Sequence, residues 1–165
     1  MQHTLKLLNK EAIQQKITRL AYQIVEQNST ATHLTLAGIA PIGYTIAAQL
    51  AVLLPTIKPI PIQLLKLELN KKNPTTITTT PTLDMHMHTV ILIDDVSMTG
   101  RTMLYAMQAL LPQHPTKIQT LVLVERQHKN FPIHSDHVGL HVSTTPEQLI
   151  IVEQIGTELV GAYLQ

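Results

Sequence analysis

Three short runs in this chain are apolar at nearly every position: His33–Ile39 (HLTLAGI), Val90–Asp94 (VILID) and Ile118–Val124 (IQTLVLV). A strand with one solvated face alternates apolar and polar residues. These runs do not alternate, so each strand has to be covered on both faces. Between them lie segments with apolar residues at helical spacing. Such alternation predicts a three-layer α/β fold, with a mainly parallel sheet and helices on both faces. In sheets of this kind ligands bind beyond the carboxyl ends of the strands.

The helices predicted on this basis are Lys10–Gln27, a segment starting near Gly43, and Thr99–Leu111. Asn9 is placed to cap the first, whose apolar stripe is Ile13, Ile17, Leu20, Ala21, Ile24 and Val25. Pro55, Pro59 and Pro61 mark the connection to the next strand, Ile62–Leu69. Residues 70–88 hold six threonines and two prolines, which predicts a mobile loop or an extended β-arm that packs no core. Short strands are expected near 137–142 and 149–152, and a final helix near 157–164. No internal repeat or linker divides residues 1–165, which read as a single domain.

Composition narrows the function classes. Of 165 residues 44% are apolar, enough to bury a core. No cysteine is present, which excludes disulfides and thiolate metal sites. No apolar run reaches the roughly 18 residues of a membrane span and no signal peptide opens the chain, so a cytoplasmic protein with no membrane partner is expected. The net charge of +1 is not the footprint of a dedicated nucleic-acid binder. It is unevenly spread: residues 1–82 carry eight basic and three acidic side chains, residues 83–165 four and eight. With four Tyr, one Phe and no Trp, no stacking platform for single-stranded bases is expected.

The stretch that carries chemistry is Val90-Ile-Leu-Ile-Asp94-Asp95-Val96-Ser97-Met98-Thr99-Gly100-Arg101-Thr102. A buried strand delivers two adjacent carboxylates to the sheet edge, and a short loop leads into a helix. Unsatisfied N–H groups and the helix dipole favour an anion at such a helix start. Gly100 allows close approach of the backbone. Thr99 and Thr102 add hydroxyl donors, and Asp94 and Asp95 can accept from vicinal sugar hydroxyls. Together these suit a phosphorylated sugar.

That stretch resembles the phosphoribosyl-pyrophosphate (PRPP) motif of type I phosphoribosyltransferases. LLNKEAIQQKITRLAYQIVEQN, LAGIAPIGYTIAAQL, LVLVERQHKNFPIHSDHVG and the closing segment resemble one subfamily over nearly the whole chain: the bifunctional pyrimidine operon attenuator and uracil phosphoribosyltransferase. The resemblance implies that Asp94 and Asp95 hold the ribose hydroxyls. Ser97, Met98, Thr99, Gly100, Arg101 and Thr102 would form the 5′-phosphate loop, and Glu125 and Arg126 would lie beside the base. The implied reaction joins uracil to PRPP with Mg²⁺ bound by the substrate, giving UMP and pyrophosphate; no protein metal motif is expected. A homo-oligomer is implied as well.

Two departures from the family pattern stand out. The family's pyrophosphate loop reads Gly-Ile-x-Thr-Arg-Gly, whereas this chain has Gly38 followed by Ile39, Ala40, Pro41, Ile42 and Gly43. Losing a charged phosphate contact costs about 2–4 kcal/mol of transition-state stabilisation, or roughly 10²–10³ in rate. The family's flexible loop carries Tyr-Arg-Asp-Asp; here Glu68-Leu69-Asn70-Lys71-Lys72 takes its place. Lys71 or Lys72 either replaces the missing cation, Lys71 then acting beside Asp94 and Asp95 in catalysis, or forms a solvated loop tip. A catalytically impaired sensor of nucleotide or PRPP is therefore an alternative to the enzyme.

RNA attenuation is a third reading. Thr18, Arg19, His128 and Lys129 match residue types that the family uses on its RNA face, whereas Tyr22, Pro41, His134 and Leu140 replace polar or basic ones. Fewer cations release fewer counterions and bind RNA more weakly. His86 and His88 read as strand-surface histidines rather than a metal pair, for want of a third ligand. Met98, Met103 and Met107 read as core or loop filling.

Overall fold

Asn9 opens the first helix as its side chain predicts: its Oδ1 accepts the backbone N–H of Ala12 at 2.8 Å. The computed structural model describes residues 5–165. In chain order the elements are β1 (Leu5–Asn9), α1 (Lys10–Gln27), β2 (Leu34–Ile39), α2 (Ile42–Ile57), β3 (Ile62–Leu69), β4 (Ile77–Thr80), β5 (Thr89–Ser97), α3 (Arg101–Leu110), β6 (Lys117–Arg126), β7 (His137–Val142), β8 (Ile150–Ile155) and β9 (Glu158–Leu164). A 3₁₀ turn, Leu111–Gln113, follows α3.

The main sheet has six strands in the order β4-β3-β2-β5-β6-β7. All neighbours are parallel except β4, which runs antiparallel to β3 at one edge. The apolar runs are buried on both faces as expected. Leu36, Ile91, Ile93, Leu121 and Leu123 share a core with Ile17, Leu20 and Ile24 of α1 and Ile46 and Leu50 of α2. Ala37, Val90, Leu92 and Val122 point the other way, onto Met103, Ala106 and Leu110 of α3. Each strand thus serves two cores, which is why its sequence shows no alternation. Pro55 lies inside the last turn of α2, so the helix outruns the boundary that its proline suggests.

A second, antiparallel sheet of three strands, β1-β9-β8, sits beside the first. Its β9 corrects the expected final helix near 157–164. Leu159 and Ala162 are both buried, a three-residue spacing that imitates a helix. The cause is a bulge. The register passes from Gln154↔Leu159 to Glu153↔Gly161, skipping Val160, so the side chains on either side face the same core. Gly156, at φ +61°, makes the turn between β8 and β9.

Residues 70–88 also depart from expectation in part. An extended arm does form, as β4. The segment nonetheless contributes to the core: Met85 is buried, and Ile77 and Leu83 pack beside it. Among the described residues, no helix is long and apolar enough to cross a membrane.

Candidate functional site

The carboxyl end of β5 opens into a cleft of about 310 Å³, lined by Lys71, residues 94–103 and Ile150–Val152. Asp94 is 1% exposed; its Oδ1 accepts the N–H of Asp95 at 2.9 Å and the Lys71 ammonium at 3.0 Å. Lys71 also reaches Asp95 Oδ1 at 3.3 Å. Lys71 lies in the turn after β3 with its side chain 44% exposed, and its ammonium nonetheless lies across both carboxylates. Burial, reinforced by the charge of Asp95, holds the Asp94 carboxyl well above the usual range, and Lys71 opposes this. The Lys71 ammonium is pushed up: its own burial works against the charge, but the two carboxylates outweigh it.

The loop after β5 turns at Gly100, whose φ of +85° is the left-handed conformation that glycine adopts without strain. Helix α3 then starts with no side chain capping it from Gly100. Thr99 Oγ1 takes the Arg101 N–H at 3.3 Å, and the Leu104 N–H bonds Gly100 O. The N–H groups of Thr102 and Met103, in the first turn, have no intrahelical acceptor, and both residues line the cleft. The Arg101 guanidinium lies over the Tyr105 ring, 5.6 Å from its centroid. Met98 packs against the larger core, and the Ser97 hydroxyl turns away from the cleft to Lys129.

Residues 39–43 connect β2 to α2. A Cβ on Gly43 would lie 2.5 Å from Ile93 O and 2.9 Å from Asp94 Cα, so glycine brings the start of α2 against the strand that carries the carboxylates. The Ala40 N–H bonds Leu67 O, and Pro41 O accepts from the Thr45 N–H and hydroxyl. Ile42 packs on the core. Where the resemblance implies a cation, this loop offers an aliphatic side chain packed on the core. Its outer side, Ala40 and Pro41, borders a separate depression shared with Lys66 and Glu68.

Glu125 and Arg126 do not line the cleft. The Glu125 carboxylate is buried, accepting the Ser135 N–H and pairing with Lys129 at 3.2 Å. The Arg126 guanidinium reaches Thr145 O. The wall facing the loop is instead Ile150, Ile151 and Val152 of β8. Sequence reasoning placed a strand there but gave it no role, because three aliphatic residues carry no chemical signature of their own.

Of the residues considered for an RNA face, Thr18 donates its hydroxyl to Gln14 O. Arg19 is exposed, and its Nη2 donates to the carbonyls of Val138 and Gly139, at 2.7 and 2.9 Å, along edge strand β7. The Lys129 side chain is 4% exposed and offers no cation to a surface ligand. His128 is exposed. His86 and His88 lie not on a strand but in the turn before β5; His88 bonds Thr35 and stacks on His33.

A family model described as the phosphoribosyl transferase domain matches residues 3–153. The chain is 34% identical over 170 residues to the bifunctional protein PyrR of Clostridium perfringens, covering 95% of this chain and 96% of that one. It is also 34% identical over 165 residues to the bifunctional protein PyrR of Bacillus cereus, with 93% and 92% covered. Among solved structures, the hypoxanthine phosphoribosyltransferase of Trypanosoma cruzi superposes with a TM-score of 0.78 at 16% identity, 95% of each chain being covered. A hypoxanthine-guanine phosphoribosyltransferase of Bacillus anthracis does so with 0.73 at 14%, covering 97% of this chain and 99% of that one. At that identity the two structures speak for the fold alone.

Proposed function

The chain belongs to the phosphoribosyl transferase domain family, and from that premise we propose that it transfers phosphoribose from PRPP to uracil. The ring nitrogen of uracil bonds to the anomeric carbon as the bond from that carbon to the pyrophosphate oxygen breaks. The electron pair leaves with pyrophosphate, and the nitrogen loses its proton. The observation that carries this reading is one continuous arrangement: the carboxylates of Asp94 and Asp95 at the end of a buried strand, followed directly by the Gly100 turn and the open N-terminus of α3.

In this reading Asp94 and Asp95 accept the ribose hydroxyls. The first-turn N–H groups of α3, with Thr99 and Thr102, take the 5′-phosphate. Ile150–Val152 give the base an apolar surface. Asp94 and Asp95 are the only carboxylates lining the cleft among the described residues, and no cluster of three metal-ligating side chains occurs there. Two hard oxygen donors fit Mg²⁺ that arrives with PRPP and keeps most of its ligands as substrate oxygens and water. Such an ion, when bound, supplies charge neutralisation at the pyrophosphate.

In this reading Lys71 is the cation of the site. It gives up its contacts to Asp94 and Asp95 as ribose hydroxyls take them, and its ammonium turns to the pyrophosphate, the further anion that arrives with the substrate. Turnover is slow in this reading, because Ile42 supplies no cation to the leaving group. With the Lys129 side chain buried and a net charge of only +1, RNA attenuation is the weaker reading. A panel of bases with labelled PRPP and Mg²⁺ tests the proposal. UMP should form from uracil at a low rate; folded protein that forms no nucleotide from any base overturns it.

A further inference from the structure

The phosphate loop is gripped from the side away from the cleft. Lys129 Nζ donates to the Ser97 carbonyl at 2.9 Å and to its hydroxyl at 2.6 Å. The N–H groups of Asn130 and Phe131 both donate to Thr99 O, at 3.1 and 3.0 Å. Ile133 closes the grip beneath Gly100, where a Cβ would come within 2.5 Å of Ile133 Cγ2. All these groups belong to the β6–β7 connection, and neither Lys129 nor Ile133 lines the cleft.

We propose that this connection is a positioning clasp for the anion loop, locked by Lys129, which is itself held by Glu125. The inference rests on the reading that the loop takes a phosphate. N–H groups stabilise an anion strongly only when they are aimed before it arrives. Helix α3 has no cap of its own at Gly100 to aim them. The clasp supplies that constraint by tying down Ser97 and Thr99, the residues just before the turn. A buried pair such as Lys129–Glu125, each side chain 4% exposed, is poorly explained as a source of stability, since an apolar pair of similar volume serves as well. Fixing Ser97 gives it a purpose. Lys129 is thus a positioning residue, acting on phosphate through the backbone without touching it.

The test compares affinity for UMP with affinity for uridine, by calorimetry for the first and NMR titration for the second. The Lys129→Met plus Glu125→Gln double variant removes both charges, so that neither is left buried alone. Ile133→Ala loosens the grip without changing any charge, and it decides the matter if the double variant fails to fold. In either variant UMP affinity should fall about 10-fold or more, as expected for groups displaced by an ångström, while uridine affinity stays within about 2-fold. A proportional loss of both ligands, or an unchanged preference for UMP, overturns the clasp. A wild type that does not prefer UMP overturns the phosphate reading itself, and the clasp with it.

Discussion

Asp94 is the buried carboxyl of the cleft, and its titration should govern how ligand affinity varies with pH. Its carboxyl is raised by burial and by Asp95, and Lys71 is the cation that opposes the rise. Ribose hydroxyls donate to an ionised carboxylate, so UMP affinity should increase with pH through a midpoint above the ordinary carboxylate value of about 3.9. Lys71→Met removes the opposing charge, and the midpoint should move further up. Calorimetric titrations across the acid range read this directly, and an unmoved midpoint would show that Lys71 does not act on Asp94. For folding the sign is reversed. A group whose folded pKa lies above its unfolded value favours the folded state below the unfolded pKa, and that contribution is lost as pH rises through the folded one. Lys71→Met should therefore also lower stability at neutral pH, and less so in acid. Asp94→Asn should flatten the acid limb of binding while weakening UMP.

At the scale of elements, the start of α2 lacks the cation that the resemblance implies there. Ile42 faces the core instead of the cleft. Ile42→Arg should raise turnover with PRPP by about 10-fold or more, recovering part of the roughly 10²–10³ that removal of one oxyanion donor costs. Loss of the Ile42 packing should cost about 1 kcal/mol of stability. Steady-state rates and a thermal melt separate the two effects; a variant that melts as expected without gaining rate would show that the missing cation does not limit turnover. Gly43→Ala should abolish activity, since its Cβ would meet the backbone of Ile93 and Asp94, which cannot yield as a side-chain tip can. Activity close to wild type would show that this approach is not needed. Most of this layer was legible in the sequence. The helical stripe of α1, the doubly apolar strands and the Gly100 turn each follow from a local rule. Three things were not legible. The bulge in β9 turned a strand into a helical spacing. Pairing of β1 with β9 joins segments at opposite ends of the chain, so no local pattern announces it. The partners of Lys129 and Arg19 lie on neighbouring elements, and only the folded chain shows that both cations are already engaged.

At the scale of the whole molecule, one question is whether the small sheet merely covers the cleft or is built into it. Ile150 and Val152 of β8 and Leu159, Ala162 and Leu164 of β9 share a single core with α1 and the centre of the main sheet. The aliphatic wall of the cleft is therefore registered to the Asp94 edge by shared packing, not by a hinge. Leu159 is 4% exposed, shares the core with Ile150 and Val152, and does not itself line the cleft. Leu159→Ala should cost about 2–5 kcal/mol, the usual range for a buried leucine. Because the core is shared, urea unfolding should remain a single transition when followed by two independent probes. The wall should also lose its register, raising KM for uracil several-fold more than KM for PRPP, whose proposed sugar and phosphate contacts lie on β5 and α3. Two separate transitions, or equal changes in the two KM values, would show the small sheet to be an independent cover. A single transition with a selective change for the base would place recognition of the base in a sheet assembled from both ends of the chain, and recognition of the phosphorylated sugar in the segment between β5 and α3.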